Sequence, residues 1–111
     1  MNTLSTHVLD TMHGRPAAGL ALTLSGAQGE IARGVTNQDG RCPDLLPEAL
    51  AAGRYALRFS VAAYFRAQGV DLPDPPFLDE VTIDFGMADD GGHYHVPLLV
   101  SPFSYSTYRG S

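Results

Sequence analysis

The chain is poor in cysteine and in basic side chains. Cys42 is its single cysteine, which excludes an internal disulfide framework and is typical of a reducing compartment such as the cytoplasm. Lysine and arginine together number 7 against 12 acidic residues, and the formal net charge is −5. A nucleic-acid surface needs clustered basic residues to displace phosphate counterions, and the sequence has no such cluster. We therefore do not expect a nucleic-acid partner.

Long apolar runs are also missing. No segment approaches the roughly 20 apolar residues that a membrane-spanning helix requires. The stretch from Met1 to His7 has neither the basic region nor the apolar region of a secretory signal peptide. We expect no membrane partner and a cytoplasmic location.

The length and turn content predict one compact domain over residues 1–111. A chain of 111 residues buries roughly two thirds of its unfolded surface, which is enough for one core. It contains 12 Gly and 8 Pro, so many turns are expected. No internal repeat, low-complexity tract or linker indicates a second domain.

Short stretches of period-two alternation dominate the sequence, and helical periodicity is scarce. In the clearest stretch, Val81, Ile83 and Phe85 alternate with polar residues, as in a strand with one buried and one wet face. We predict strands at 4–10, 20–25, 31–36, 54–60, 78–85, 94–100 and 105–108, separated by turns at 13–16, 26–29, 37–40 and 89–92.

One segment, 61–68, is rich in alanine and is followed by Gly69, which predicts a short helix with a glycine C-cap. The proline-rich stretch 72–76 excludes a helix or a central strand there. The predicted fold is an all-β sandwich of about eight strands with one short helix.

Histidines are the leading candidates for chemistry. His7 shares its strand face with Ser5 and Leu9, while His93 and His95 share one face because they are two positions apart. A lone strand histidine is more often structural than catalytic. A histidine does, however, exchange protons near neutral pH, which suits it to acid–base catalysis.

A metal site built on His93 and His95 is the less favoured alternative. Zinc takes three or four ligands, and neither HExxH nor CxxC spacing occurs in the sequence. We expect no metal and no cofactor. Cys42 is interpreted as inert packing beside Arg41, because nothing near it in the sequence forms a nucleophilic dyad.

Arg41 and the terminal Tyr108, Arg109, Gly110 and Ser111 have simpler explanations when they are taken alone. Arg41 follows an Asp39-Gly40 turn and could be a solvated flank. Chain termini commonly fray, so the last four residues could be a disordered tail.

The two ends of the sequence resemble the transthyretin-like (prealbumin-like) family. The resemblance rests on the segment 4–10 followed by 14–17, on 95–102, and on 104–111, and it covers almost the whole chain. Within that family, a terminal Tyr-Arg-Gly-Ser marks the 5-hydroxyisourate hydrolases and is absent from the hormone-carrying transthyretins. Transthyretins also have a lysine at the place of His7.

The resemblance implies a site and an activity. It implies that the catalytic residues are His7, Arg41 and His95. Substrate is expected to bind His7, Arg41 and the terminal residues Tyr108, Arg109, Gly110 and Ser111. His93 and Tyr94 are expected to be structural neighbours of the site. It also implies a homotetramer, a dimer of dimers with the sites in a central channel. The expected reaction, part of urate breakdown, is hydrolysis of 5-hydroxyisourate to 2-oxo-4-hydroxy-4-carboxy-5-ureidoimidazoline.

Three other functions remain open at this point. A carrier of small aromatic ligands would share the fold but would need no paired histidines. A generic adhesion or sugar-binding sandwich would not need the specific terminal sequence. A metal-dependent hydrolase would lose activity with chelator.

Overall fold

The computed structural model describes residues 1–45 and 49–110, which form mainly β-strands. In chain order the elements are β1 (Thr3–Asp10), β2 (Arg15–Pro16), β3 (Ala21–Gly26), β4 (Gly29–Val35), a 3₁₀ helix (Pro43–Leu45), β5 (Gly53–Phe59), α1 (Val61–Ala67), β6 (Val81–Met87), β7 (His93–Val100) and β8 (Tyr105–Thr107). The predicted all-β class with one short α-helix is confirmed. Among the described residues, no helix has the length and apolar character needed to cross a membrane.

The strands form two four-stranded sheets that share one core. The first sheet has the order β2-β1-β7-β8 and the second the order β4-β3-β5-β6. β1 and β7 run parallel, and the other neighbours are antiparallel. One cluster of buried side chains takes Leu4 and Val8 from the first sheet and Leu22 and Leu57 from the second. The two apolar faces therefore pack against each other as a sandwich, as the alternation predicts.

The helix α1 ends as the sequence predicts. Gly69 adopts a left-handed conformation with φ 85°, which a residue with a side chain rarely accepts. Its amide donates to the carbonyl of Arg66, and the amide of Val70 donates to the carbonyl of Phe65. These two bonds form a Schellman motif, which satisfies carbonyls that the last turn of the helix leaves unpaired.

Most predicted boundaries differ from the observed ones by one to three residues, and three of these differences affect how the elements connect. The strand predicted at 78–85 begins only at Val81, because the carbonyl of Asp79 accepts the amide of Ala62 at the start of α1 instead of joining the sheet. The predicted turn 13–16 ends in the two-residue strand β2, which pairs with the end of β1. The last strand stops at Thr107 rather than at Tyr108.

A buried carboxylate fixes the end of β1. The Oδ2 atom of Asp10 accepts hydrogen bonds from His13 Nδ1 at 2.6 Å and from the Tyr64 hydroxyl at 2.7 Å. Burial alone would raise the pKa of the Asp10 carboxyl, but the hydrogen bonds from His13 and Tyr64 lower it overall. Burial and the bond to Asp10 raise the pKa of Tyr64 to about 12. The first sheet and α1 are thus joined by a charge-assisted bond.

Tyr64→Phe should lower the free energy of unfolding by about 1.5–3 kcal/mol, the usual contribution of a hydrogen bond to a charged group. Because the pKa of Asp10 is lower in the folded protein, its stabilisation is present above the unfolded pKa of about 3.9 and is lost as the pH falls through the folded value. The loss of unfolding free energy caused by Tyr64→Phe should therefore be smaller at acid pH than at pH 7. Urea denaturation at pH 7 and at acid pH measures both effects.

Tyr55→Phe is the matched control, because the Tyr55 hydroxyl donates to the carbonyl of Ala51 at an exposed position. It should change stability far less. Equal losses in the two variants would show that the Asp10 carboxylate does not strengthen the bond.

Candidate active site

The outward face of the first sheet gathers polar side chains along β1 and β7. In β1, Leu4, Thr6 and Val8 point into the core, and Ser5 and His7 are half-buried on the other face. The parallel register places Ser5 opposite His95. As the sequence predicts, His93 and His95 share a face, because they alternate with buried neighbours. Two distant parts of the chain therefore form one polar surface.

His95 is held through one ring nitrogen. Its Nδ1 atom lies 2.7 Å from the Ser5 hydroxyl, and within the described residues its Nε2 atom has no hydrogen-bond partner. Burial lowers the pKa of His95, and the nearby charges of Arg41, His7 and His93 lower it further. A histidine with a lowered pKa is neutral at neutral pH and can accept a proton, so His95 has the character of a general base.

His7 is held through its opposite nitrogen. The His7 Nε2 atom lies 2.7 Å from the backbone carbonyl oxygen of Asp39. A carbonyl oxygen only accepts hydrogen bonds, so Nε2 carries a proton and donates it to Asp39. Nδ1 is the ring nitrogen that stays available to the substrate. The two histidines of the site are thus oriented by different partners.

A tight turn places Arg41 beside His7. The Asn37 side-chain carbonyl accepts the amides of Asp39 at 2.9 Å and of Arg41 at 3.1 Å. Gly40 has φ 75°, and a Cβ there would collide with the carbonyl oxygen of Val8. A single bridge then pairs His7 with Arg41 along the free side of β1. The structure therefore brings together His7 and Arg41, which are 34 positions apart in the sequence.

The tail approaches His95 from the other side. The amide of Gly110 donates to the carbonyl of His95 at 2.7 Å, in the register that β8 and β7 already have. A Cβ at Gly110 would lie 2.5 Å from Cδ2 of the His95 ring. Only glycine therefore lets the tail pack this closely on the imidazole.

The other tail residues occupy different positions. The Arg109 guanidinium lies 3.9 Å from the centre of the Tyr94 ring, a cation–π contact that holds the tail on the edge of the sandwich. Tyr108 is 60% exposed. Ser111 lies outside the described residues, so its predicted contact with substrate stays a prediction.

Sequence reasoning missed two hydroxyl groups. Ser5 Oγ lies 2.9 Å from His93 Nε2 as well as 2.7 Å from His95 Nδ1, and Thr3 Oγ1 lies 2.7 Å from His93 Nδ1. Alternation already placed Ser5 on the face of His7. Its bonds to His93 and His95 depend on the pairing of β1 with β7, for which no local signal exists.

Cys42 and the possible metal ligands complete the local chemistry. Burial raises the pKa of the Cys42 thiol, which works against the thiolate form that a nucleophile needs. Within residues 1–45 and 49–110, no group of three or more His, Cys, Asp or Glu side chains could hold a metal ion. The chemistry that these residues offer is proton transfer by two histidines next to a fixed positive charge.

Comparison with known proteins gives the family. The sequence matches the HIUase/Transthyretin family over residues 4–110. It is similar to the 5-hydroxyisourate hydrolase of Ralstonia nicotianae, with 58% identity over 117 aligned residues that cover all of both chains.

Solved structures agree with this match. The 5-hydroxyisourate hydrolase of Klebsiella pneumoniae has a TM-score of 0.85 and 39% identity, with 98% of this chain and 99% of that chain covered. Sea bream transthyretin in complex with thyroxine has a TM-score of 0.84 and 36% identity, with 96% and 93% covered. (S)-Allantoin synthase has a TM-score of 0.92 and 39% identity over 99% of this chain, which spans only 44% of that longer one.

The resemblance inferred from the two ends of the sequence is therefore confirmed. The match extends over nearly the full length, and the fold agrees with it. This chain belongs to the HIUase/Transthyretin family.

Proposed function

We propose that this chain hydrolyses 5-hydroxyisourate to 2-oxo-4-hydroxy-4-carboxy-5-ureidoimidazoline, a step of urate breakdown, without a metal or cofactor. The observation that carries the proposal is the meeting of His7, His95 and Arg41 on one face, with the two histidines held through opposite ring nitrogens. The identity to hydrolases over the full chain supports the same substrate.

The reaction opens a ring amide, and it needs three catalytic contributions. Water must lose a proton as it attacks the carbonyl carbon, the developing oxyanion must be stabilised, and the leaving nitrogen must gain a proton. We assign deprotonation of water to His95, because its lowered pKa keeps Nε2 unprotonated at neutral pH.

In this proposal Arg41 stabilises the oxyanion, and His7 protonates the leaving nitrogen. The guanidinium of Arg41 carries fixed positive charge and several donors for the substrate carbonyls and the oxyanion. His7 enters this step as an imidazolium and delivers its Nδ1 proton to the leaving nitrogen, while its Nε2–H stays on the carbonyl of Asp39. Tyr108, Arg109, Gly110 and Ser111 are proposed to complete the substrate site.

We further propose a cytoplasmic homotetramer whose facing subunits close the site. His7 and His95 are only half-buried in one protomer, and a site that excludes water strengthens its electrostatic contacts. Light scattering should give four times the chain mass of 11.8 kDa. A stable monomer that is fully active would contradict the tetramer.

The test of the activity is a coupled assay. Urate oxidase generates fresh 5-hydroxyisourate, and its decay is followed by absorbance with and without this protein, with EDTA present throughout. Faster decay than the spontaneous rate is expected. Spontaneous decay only, with tight binding of an aromatic ligand, would instead favour a carrier like the similar transthyretin.

His95→Ala, His7→Ala and Arg41→Ala should each lower kcat/KM by about 10²- to 10⁴-fold, the usual range for a group that transfers protons or stabilises charge. His13→Ala is the control, because His13 binds Asp10 at the far end of β1. It should keep its turnover at temperatures where it stays folded. Near-normal activity of any one site variant would remove that residue from the mechanism.

The pH profile tests the assignment of the base. A base works when unprotonated, so the acid limb of kcat/KM should lie below the usual histidine pKa of about 6.5. Arg41→Gln removes a charge that lowers the pKa of His95, so the acid limb of its residual activity should move to higher pH. An unmoved limb would show that the titrating group is not His95.

Gly110→Ala tests the contact between tail and imidazole. The added methyl group has to displace the His95 ring or the tail, and a misplacement of about 1 Å can cost about 10²-fold in rate. Gly86→Ala is the matched control, because a Cβ there meets no atom within 4 Å. If both variants are equally active, the contact at Gly110 does not position the base.

A further inference from the structure

Four side chains on the outward face form a continuous hydrogen-bonded chain. It runs from His95 Nδ1 to Ser5 Oγ at 2.7 Å, from Ser5 Oγ to His93 Nε2 at 2.9 Å, and from His93 Nδ1 to Thr3 Oγ1 at 2.7 Å. His95 and Ser5 are half-buried, whereas His93 and Thr3 are exposed. The chain thus leads from the base of the site to the solvent.

Protons can be assigned consistently along this series of hydrogen bonds, with every donor pointing from His95 towards Thr3. When His95 presents an unprotonated Nε2 to water, its proton is on Nδ1 and is donated to Ser5. The single Ser5 proton is then donated to His93 Nε2, which leaves the His93 proton on Nδ1, donated to Thr3. Every link has one donor and one acceptor, and no group has to change its tautomer before the reaction starts.

We propose that Ser5 and His93 form a proton relay that carries away the proton that His95 takes from water. The relay rests on the proposed hydrolytic function and deepens it. It gives His93 a role in moving protons, where the resemblance to the family implied only a structural neighbour. Ser5 and His93 are positioning and relay residues, since they act on substrate only through His95.

The relay balances atom by atom. Water gives one proton to His95 Nε2, and its oxygen bonds to the substrate carbonyl carbon. The Nδ1 proton of His95 moves to Ser5 as the Ser5 proton moves to His93 Nε2, so that His95 is neutral again and His93 is an imidazolium. His93 then loses its Nδ1 proton to solvent beside Thr3. The ring C–N bond then breaks, and the leaving nitrogen receives the Nδ1 proton of the His7 imidazolium, which takes up a new proton from solvent before the next turnover.

The surrounding charges favour movement in this direction. Burial lowers the pKa of His95, and the charges that face it lower it further: Arg41 from the 37–41 turn, His7 on β1 and His93 on its own strand. A positive charge on His95 is therefore disfavoured by its neighbours, while the more exposed His93 can share its charge with water. The positive charge is therefore more stable on His93 than on His95, which favours proton transfer outward.

The experiment compares Ser5→Ala and His93→Gln with the wild-type protein in the 5-hydroxyisourate assay at low buffer concentration. Both variants should lower kcat by about tenfold or more, below the full contribution of about 10²- to 10⁴-fold that the base itself makes, with little change in KM. Added imidazole should restore kcat of His93→Gln as its concentration rises. Ser25→Ala, a half-buried serine of β3 in the other sheet, is the matched control and should keep the wild-type kcat.

Two activity results would overturn the relay. One is a His93→Gln kcat within twofold of the wild-type value at low buffer. The other is a reduced kcat that imidazole does not restore, which would mean that His93 only holds Ser5 and His95 in place.

A second readout does not depend on the substrate. In protein with ¹⁵N-labelled histidine, NMR should find His95 protonated at Nδ1 and not at Nε2, and Ser5→Ala should remove this preference. A wild-type protein that shows this tautomer but no turnover would contradict the hydrolase and leave the hydrogen-bonded chain intact. An active protein whose His95 tautomer does not respond to Ser5→Ala would overturn the relay alone.

Discussion

The parallel pairing of β1 with β7 is the constraint on which the site depends. It places Ser5 opposite His95 although 90 positions of sequence separate them. Neighbouring parallel strands need a long crossover connection, and here the connection contains the whole second sheet and α1. Most of the chain is therefore the link that lets its two ends lie side by side.

The register of this pair matters as much as its existence. A shift of either strand by one residue would turn His7 or His95 into the core and expose Val8 or Val96. The burial of the alternate side chains prevents such a shift, since several apolar residues would enter water together. The core thus holds in place a polar face that it does not itself include.

The same fold occurs in a hydrolase and in a thyroxine-binding transthyretin, so the fold alone does not decide the activity. The chain is similar in structure to a transthyretin that binds thyroxine and to a hydrolase. A β-sandwich by itself fixes positions and not chemistry. Here the environment gives two histidines different properties: Ser5 engages Nδ1 of His95, and a backbone carbonyl engages Nε2 of His7.

The sequence by itself determined the features that depend on local chemistry. Alternation gave the buried and exposed faces of β1 and β7, and Gly69 gave the end of α1. The start of β6 was missed because the carbonyl of Asp79 binds the first turn of α1, a tertiary contact that overrides the strand pattern.

Only the tertiary structure decided how the candidate residues meet. The motifs at the two ends pointed to His7 and His95, but the link through Ser5 to His93 and the packing of Gly110 on the imidazole depend on strand register. Register is set by the sum of many burial and hydrogen-bond contributions over the whole sandwich. No short stretch of sequence contains that sum, and the fold was therefore needed to show which side chains lie within hydrogen-bonding distance of one another.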